Sequence, residues 1–233
     1  GARLNLTIQS DHMCKETEAK LYAEGIATFA LTFIGAGSIW VSGDLLTVAV
    51  AHGIILAVMV TATMNISGGH VNPAITIGFM ATKRIEPKLG AQYIAAQLTG
   101  ALLAGAILYS IGAGGVGTPA PGDSIIEVST QQAILIEAVL TFLLMTVIMG
   151  TAVDDRAPAG IAGFGIGLTV MADILMGGPL TGAAMNPARW AGVWIFGDME
   201  NNIDLIIYTV GPIMGALLGV LLWDKMTPGE DSE

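Results

Sequence analysis

Charge is scarce in this chain. Only 12% of its 233 residues are Asp, Glu, Lys or Arg, against about 25% in an ordinary soluble domain. Hydrophobic residues make up 53% and mean hydropathy is +0.70, so most of the surface must face lipid rather than water. Cysteine is nearly absent: the single Cys14, in a polar N-terminal segment, excludes an internal disulfide and is silent about compartment. Basic residues are few, 9 against 19 acidic, and unclustered, which excludes a nucleic-acid partner. No nucleophile–base pair or metal-ligand cluster stands out, so neither an enzyme nor a cofactor or metal is expected. Residues 1–20 are too polar for the apolar core of a secretory signal, and Gly1 at the start reads as the product of processing or of a junction.

Apolar runs are plentiful. A membrane-spanning helix needs about 20 mostly apolar residues, and six segments satisfy this, at about 21–41, 45–64, 89–111, 133–153, 157–176 and 203–223. Two further runs stop short, from Pro73 to Lys83 and from Pro187 to Phe196; at about 1.5 Å per residue each covers about half of a ~30 Å hydrocarbon core. Both begin with Asn-Pro, a good helix start, because Asn caps the first turn and Pro there has no N–H to lose. Each is preceded by a Gly-rich stretch, 65–71 and 177–185. The pattern predicts half-helices entered by irregular loops, and such backbone is tolerated at membrane depth only where protein buries it or water reaches it. A cavity or pore is therefore implied.

The basic residues orient the spans. Arg3, Lys15 and Lys20 precede the first span, Lys83, Arg84 and Lys88 follow the second, Arg156 follows the fourth and Lys225 the sixth. With six spans all eight fall on one side, which the positive-inside rule makes cytoplasmic. The loops opposite carry Asp44, Asp123, Glu127, Asp198, Glu200 and Asp204 and no basic residue. Arg189 alone falls inside a half-helix.

The chain also repeats itself. Asn-Pro-Ala occurs at Asn72-Pro73-Ala74 and again, 186 − 72 = 114 residues later, at Asn186-Pro187-Ala188. "AEGIATFALTF" (23–33) echoes "IEAVLTFLLMT" (136–146), aligning Glu24 with Glu137. Ala96, Gly100 and Ala104 parallel Gly211, Gly215 and Gly219, a small-residue series suited to close helix packing. Each half holds three spans and a half-helix, and three is odd, so the halves run in opposite senses. Inverted repeats place their site at the midplane, where broken helices meet. Glu24 and Glu137 read as structural carboxylates bonded to the irregular loops, since no chain of titratable partners accompanies them. The expected architecture is all-α: residues 1–20 as a cytoplasmic segment, 21–223 as one domain (repeats 21–111 and 133–223, linker 112–132), and 224–233 as a cytoplasmic tail.

The duplicated loops "SGGHVNPA" and "TGAAMNPAR", the paired glutamates and the order of spans resemble the aquaporins, or major intrinsic proteins, over about residues 20–224, most like archaeal (M-type) or related prokaryotic members. The resemblance implies a multi-pass channel in a prokaryotic plasma membrane, four subunits each with its own pore, and passage of water and small uncharged solutes. Aquaporin-type selectivity rests on pore diameter, lining hydrogen-bond groups, an Arg and half-helix dipoles that exclude protons and cations. Family spacing carries a four-residue constriction onto His52, Ile174, Ala183 and Arg189, and a pore-lining His near the cytoplasmic mouth onto His70.

Here the chain departs from common patterns. Strict water channels of the family usually carry Phe and His at the first two constriction positions; glycerol channels carry Trp first and an aromatic third. His, Ile and Ala stand here instead, a set similar to some plant vacuolar members that pass water, ammonia, urea or glycerol. The leading reading is a passive water channel that also admits some small neutral solutes, the alternative a glycerol facilitator of the same fold. An ion-coupled transporter would want intramembrane acids beside the broken helices, where this chain has Asn. Ala183 stands where mercury-sensitive members have Cys. Asp173, beside Ile174 near the expected outer end of a span, opposes the helix dipole there and has no role assigned by sequence.

Overall fold

The computed structural model describes the backbone of residues 2–114, 126–197 and 202–227, with side chains from residue 13 onward within them. Asp123, Asp198 and Glu200 lie outside the described residues, as do 115–125 of the expected linker and the tail from 228; Arg3 is described in its backbone alone. Among the described residues eight α-helices follow one another: α1 (Ala2–Val41), α2 (Leu45–Ser67), α3 (Pro73–Ala81), α4 (Pro87–Ser110), α5 (Thr130–Ile148), α6 (Ile161–Thr181), α7 (Pro187–Trp194) and α8 (Ile203–Met226). A π-helical turn, Met149–Val153, prolongs α5. Six segments are long and apolar enough to cross a membrane, and α3 and α7 are the two that are not. The all-α architecture expected from sequence is the one observed.

Two boundaries differ from the apolar pattern. Helix α1 extends back through the polar N-terminal segment, whose charged residues mask it from hydropathy; Lys20 and Glu16, one turn apart, pair at 2.6 Å. Helix α6 starts at Ile161 rather than 157, behind Gly160 at φ 81°, and runs to Thr181 rather than 176 before Gly182 stops it at φ 80°. Pro179 sits inside its last turns without ending it. The loops before α3 and α7 shrink accordingly to 68–72 and 182–186.

The half-helices start where their caps dictate. Asn72 is extended (φ −155°, ψ 122°) and its side-chain oxygen accepts from Ala74 N at 2.9 Å. Asn186 (φ −140°, ψ 106°) accepts from Ala188 N at 3.0 Å and Arg189 N at 3.1 Å. Pro follows each cap at the first helical position. Nine and eight residues long, they span about 12–14 Å, under half the hydrocarbon core.

Packing follows the repeat. Helix α1 lies on α4 as α5 lies on α8, and α2 meets α6 between the halves. Small residues permit each approach: a Cβ on Gly100 would strike the Gly25 carbonyl, and one on Gly215 the Ala138 carbonyl. These are equivalent contacts, since 215 − 100 = 115 and 138 − 25 = 113. Lipid offers helices no hydrophobic reason to associate, so such close backbone contact supplies the van der Waals energy that holds them. The outer surface exposes Ile54, Val58, Leu103, Leu135, Phe164 and Leu218, as a lipid-facing surface must.

Candidate functional site: a pore between two half-helices

Each irregular loop is hung on one buried carboxylate. Glu24, fully buried in α1, accepts from His70 N (2.9 Å), Val71 N (2.7 Å), the Ser67 hydroxyl (2.7 Å) and the Gln97 amide (2.7 Å). Glu137, equally buried in α5, accepts from Ala184 N (3.0 Å), Met185 N (2.7 Å) and the Thr181 hydroxyl (2.7 Å). Backbone N–H groups in a turn at membrane depth have no water to bond, and leaving each unpaired costs about 1–3 kcal/mol. A carboxylate, acceptor on both oxygens, satisfies several at once. The phenols of Tyr93 and Tyr208 add a second tie, donating to Ser67 O at 2.8 Å and Thr181 O at 2.5 Å.

So anchored, the loops hold a strained shape. Val71 and Met185, immediately before the two asparagines, take φ of 55° and 51°. Side chains rarely adopt this left-handed region, and β-branched Val least of all. The strain serves the crossing. Each twisted residue turns its carbonyl toward the opposite loop: Asn72 Nδ2 donates to Met185 O and Asn186 Nδ2 to Val71 O, both at 2.8 Å. One N–H of each asparagine amide is thereby committed to the opposite loop, and since an amide carries two, one remains for the lumen. Ala74 and Ala188, which follow the two motif prolines, are each 0% exposed.

The narrow cavity at this junction is lined by His52, His70, Asn72, Ile174, Ala183, Asn186 and Arg189 among others. The four residues proposed for a constriction, far apart in sequence, are thus brought to one wall space. Most of the rest of the lining is aliphatic, and the side chains of Leu56, Val60, Ile148 and Val170 make no hydrogen bonds to a passing molecule. Toward the basic end the space opens beside His70, Phe79 and Arg84. There His70 Nδ1 lies 3.1 Å from the Thr76 hydroxyl, and its ring packs on Phe79 and Tyr93.

Geometry fixes the state of the His52–Arg189 contact. His52 Nδ1 is 2.8 Å from Val48 O; a carbonyl only accepts, so Nδ1 carries the proton. Nε2 of the neutral ring is then the acceptor, and Arg189 Nη2 donates to it at 3.1 Å. Arg189 is 3% exposed, and its backbone is held by Asn186 at the start of α7. Behind it Trp190 stacks between Trp194 and Tyr208, with centroids at 4.9 and 5.5 Å, fixing the rotation of the half-helix.

Sequence reasoning missed the loop anchors Ser67, Thr181, Tyr93, Tyr208 and Gln97. A signal existed: Ser67 and Thr181 are 114 residues apart, as the asparagines are, and the two tyrosines are 208 − 93 = 115 apart. Asp173 is not in a last turn, since α6 continues to Thr181. It is 4% exposed and its Oδ2 has no hydrogen-bond partner among the described residues; nothing in the structure explains it. The described residues contain no cluster of metal-ligating side chains.

Comparison with known proteins agrees with this geometry. The profile of the family described as "Major intrinsic protein" matches residues 12–223. The chain is 40% identical to Aquaporin AqpM of Methanothermobacter marburgensis over 88% of its own length and 96% of that protein's. It is likewise 40% identical to Aquaporin TIP4-4 of Zea mays, over 88% of this chain and 84% of that one. The solved aquaglyceroporin of Plasmodium falciparum superposes with a TM-score of 0.75 at 21% identity, covering 93% of this chain and 97% of that chain, a likeness of fold. The chain belongs to the major intrinsic protein family. It is an integral, multi-pass membrane protein of a non-enzymatic channel family that passes water or small solutes.

Proposed function

We propose that the chain is a passive channel for water that also admits some small uncharged solutes and excludes protons and ions. The observation that carries this reading is the convergence of His52, Ile174, Ala183 and Arg189 on the same cavity as Asn72 and Asn186. Each half-helix presents roughly +0.5 elementary charge at its N-terminus, and the two N-termini meet where the asparagines cross. A cation there faces both dipole ends and, one turn further along α7, the Arg189 guanidinium. Water passing the asparagines accepts from the free amide N–H with its oxygen and turns its own protons away, which breaks the hydrogen-bonded file a proton would hop along. Pro73 and Pro187 fix the helix starts that make this arrangement possible.

Solute choice rests on the constriction. Arg189 and His52 supply a polar edge, while Ile174 and Ala183 supply neither an aromatic clamp nor a second polar side chain, so a small amide or amine finds room as well as a donor. Residues 21–223 act as one channel domain, both termini lie in the cytoplasm, the membrane is a prokaryotic plasma membrane, and four subunits assemble with a pore in each.

Reconstitution tests the reading. Proteoliposomes in a stopped-flow instrument are challenged with sucrose, urea, ammonia and glycerol. Water permeability well above that of empty liposomes is expected, with measurable urea or ammonia entry and no dissipation of an imposed proton gradient. Water permeability equal to that of empty liposomes removes the channel reading, and glycerol entry faster than that of urea makes the protein a glycerol facilitator.

A further inference from the structure

We propose that Gly35, in α1 and outside the pore lining, sets the solute cut-off of the constriction by seating the His52 ring; the inference rests on the channel reading above. A Cβ built on Gly35 would stand 2.5 Å from His52 Cδ2 and 2.9 Å from Cε1, and nearer still to Nε2. Carbon atoms in contact normally keep about 3.5–4.0 Å. The imidazole therefore occupies the volume that a side chain at position 35 would fill, lying flat on the backbone of α1.

Other glycines near the constriction are different. A Cβ on Gly177 would crowd Leu140 Cδ1 and one on Gly178 would stand 2.8 Å from Leu45 Cδ1, neither of them a constriction residue; toward the constriction they would come only to 3.3 Å from Ala183 Cβ and 3.6 Å from Ile174 Cγ2. Two residues along α1, Gly37 would meet only Leu108 Cδ2, at 3.4 Å. Of these four glycines Gly35 alone meets a constriction residue within 3 Å, at three atoms of its ring, and the ring cannot simply swing aside. Val48 O holds Nδ1 at 2.8 Å and Arg189 holds Nε2 at 3.1 Å.

The repeat argues that this glycine is not a demand of helix packing. The register of Glu24 and Glu137 puts 35 + 113 = 148 opposite Gly35, and the register of Ser67 and Thr181 puts 52 + 114 = 166 opposite His52. Ile148 and Ile166 both line the cavity. The second half thus fills both positions with large side chains turned to the lumen. The first half gives up one of them, and the vacated space is what lets a ring as large as imidazole stand back from the passage.

A methyl group at position 35 forces the ring about 1 Å away to recover normal contact. It moves off α1 toward the lumen, and Nε2 draws away from Arg189. Bulky solutes lose their path before water does. The test compares the wild type with Gly35→Ala, His52→Ala and the double variant, in proteoliposomes challenged with water, urea, ammonia and glycerol. Gly35→Ala should cut the ratio of solute to water permeability about tenfold, the scale on which a single methyl discriminates in a fitted passage. In the His52→Ala background the same substitution should leave the ratio unchanged, because no ring remains to be displaced. Where the wild type passes water alone, the same comparison is read on water permeability. Should Gly35→Ala fail to insert, the double variant should insert normally, since removing the ring makes room for the methyl. An unchanged ratio in Gly35→Ala, an equal loss in both backgrounds, or failure of both variants to insert would each overturn the proposal. Absence of water flux in the wild type would instead strike the channel reading, a separate result.

Discussion

Between His52 and Arg189 one hydrogen bond joins the two polar members of the constriction, and its donor and acceptor are fixed by the bond His52 makes behind itself to Val48 O. Phe at position 52 offers no acceptor and a larger ring. His52→Phe should therefore release Arg189 and narrow the passage together, lowering urea and glycerol permeability about tenfold with water permeability held within about twofold. Stopped-flow light scattering measures both, and unchanged solute entry would place His52 outside the filter. Ala183 lends itself to a sharper test. It lines the cavity, while Cys14, the chain's one cysteine, is exposed in α1 and is not among the residues that line the cavity. Mercuric ion should leave wild-type swelling untouched. Ala183→Cys should confer a block, reversed by added thiol, because a thiolate at this position puts the metal across the passage. A wild type blocked by mercury would contradict the assignment of the lumen.

At the scale of elements, the loops depend on single buried side chains that hydropathy does not reveal. Glu137 holds the α6–α7 loop by two backbone N–H bonds and a hydroxyl. Ala at this position strands all three donors in a site without water, at about 1–3 kcal/mol each. Glu137→Ala should accordingly lower the thermal midpoint of the detergent-solubilised protein sharply, with a loss of about 3 kcal/mol or more. Glu137→Gln, which keeps one acceptor but turns an N–H toward another N–H, should fall between. A variant melting with the wild type would mean that the loop is held by Tyr208 and Thr181 without the carboxylate.

That architecture was legible in part. Asn-Pro standing twice in apolar sequence announced the half-helices, because a cap followed by Pro is a local signal and a short run cannot span. The paired glutamates were legible from the repeat. Their partners were not, since the Ser67 and Thr181 hydroxyls meet them across 43 and 44 residues of chain and the tyrosines tie the same loops across 26 and 27, and no local pattern encodes which buried hydroxyl faces which loop. The positive φ of Val71 and Met185 was hidden for the opposite reason. Local preference argues against it, and the bonds of Val71 N and Met185 N to the two glutamates, with the exchange of asparagine bonds between the loops, hold it. The end of α6 was misread because Gly177, Gly178 and Pro179 look like a terminus, whereas packing carries the helix on to Thr181.

On the scale of the whole molecule, the two halves are alike in packing and opposite in sense, so nothing in their shape decides which end faces the cytoplasm; charge does. Lys83, Arg84, Lys88, Arg156 and Lys225 gather at one end with the start of α1, and Arg84 there is clamped by Asp224 of α8 at 2.6 and 3.1 Å. At the other end stand Asp44, which caps α2, and Glu127. Cationic side chains resist transfer across the membrane far more than acidic ones do, so the basic end should remain cytoplasmic. Cys14, exposed at that end, is a ready-made reporter. In intact cells a membrane-impermeant maleimide should leave it unlabelled, and in inverted vesicles it should label it fully. With Cys14 replaced by Ser, Glu127→Cys should show the reverse. Labelling of Cys14 from outside intact cells would turn the molecule over, and with it the direction from which solute first meets Arg189.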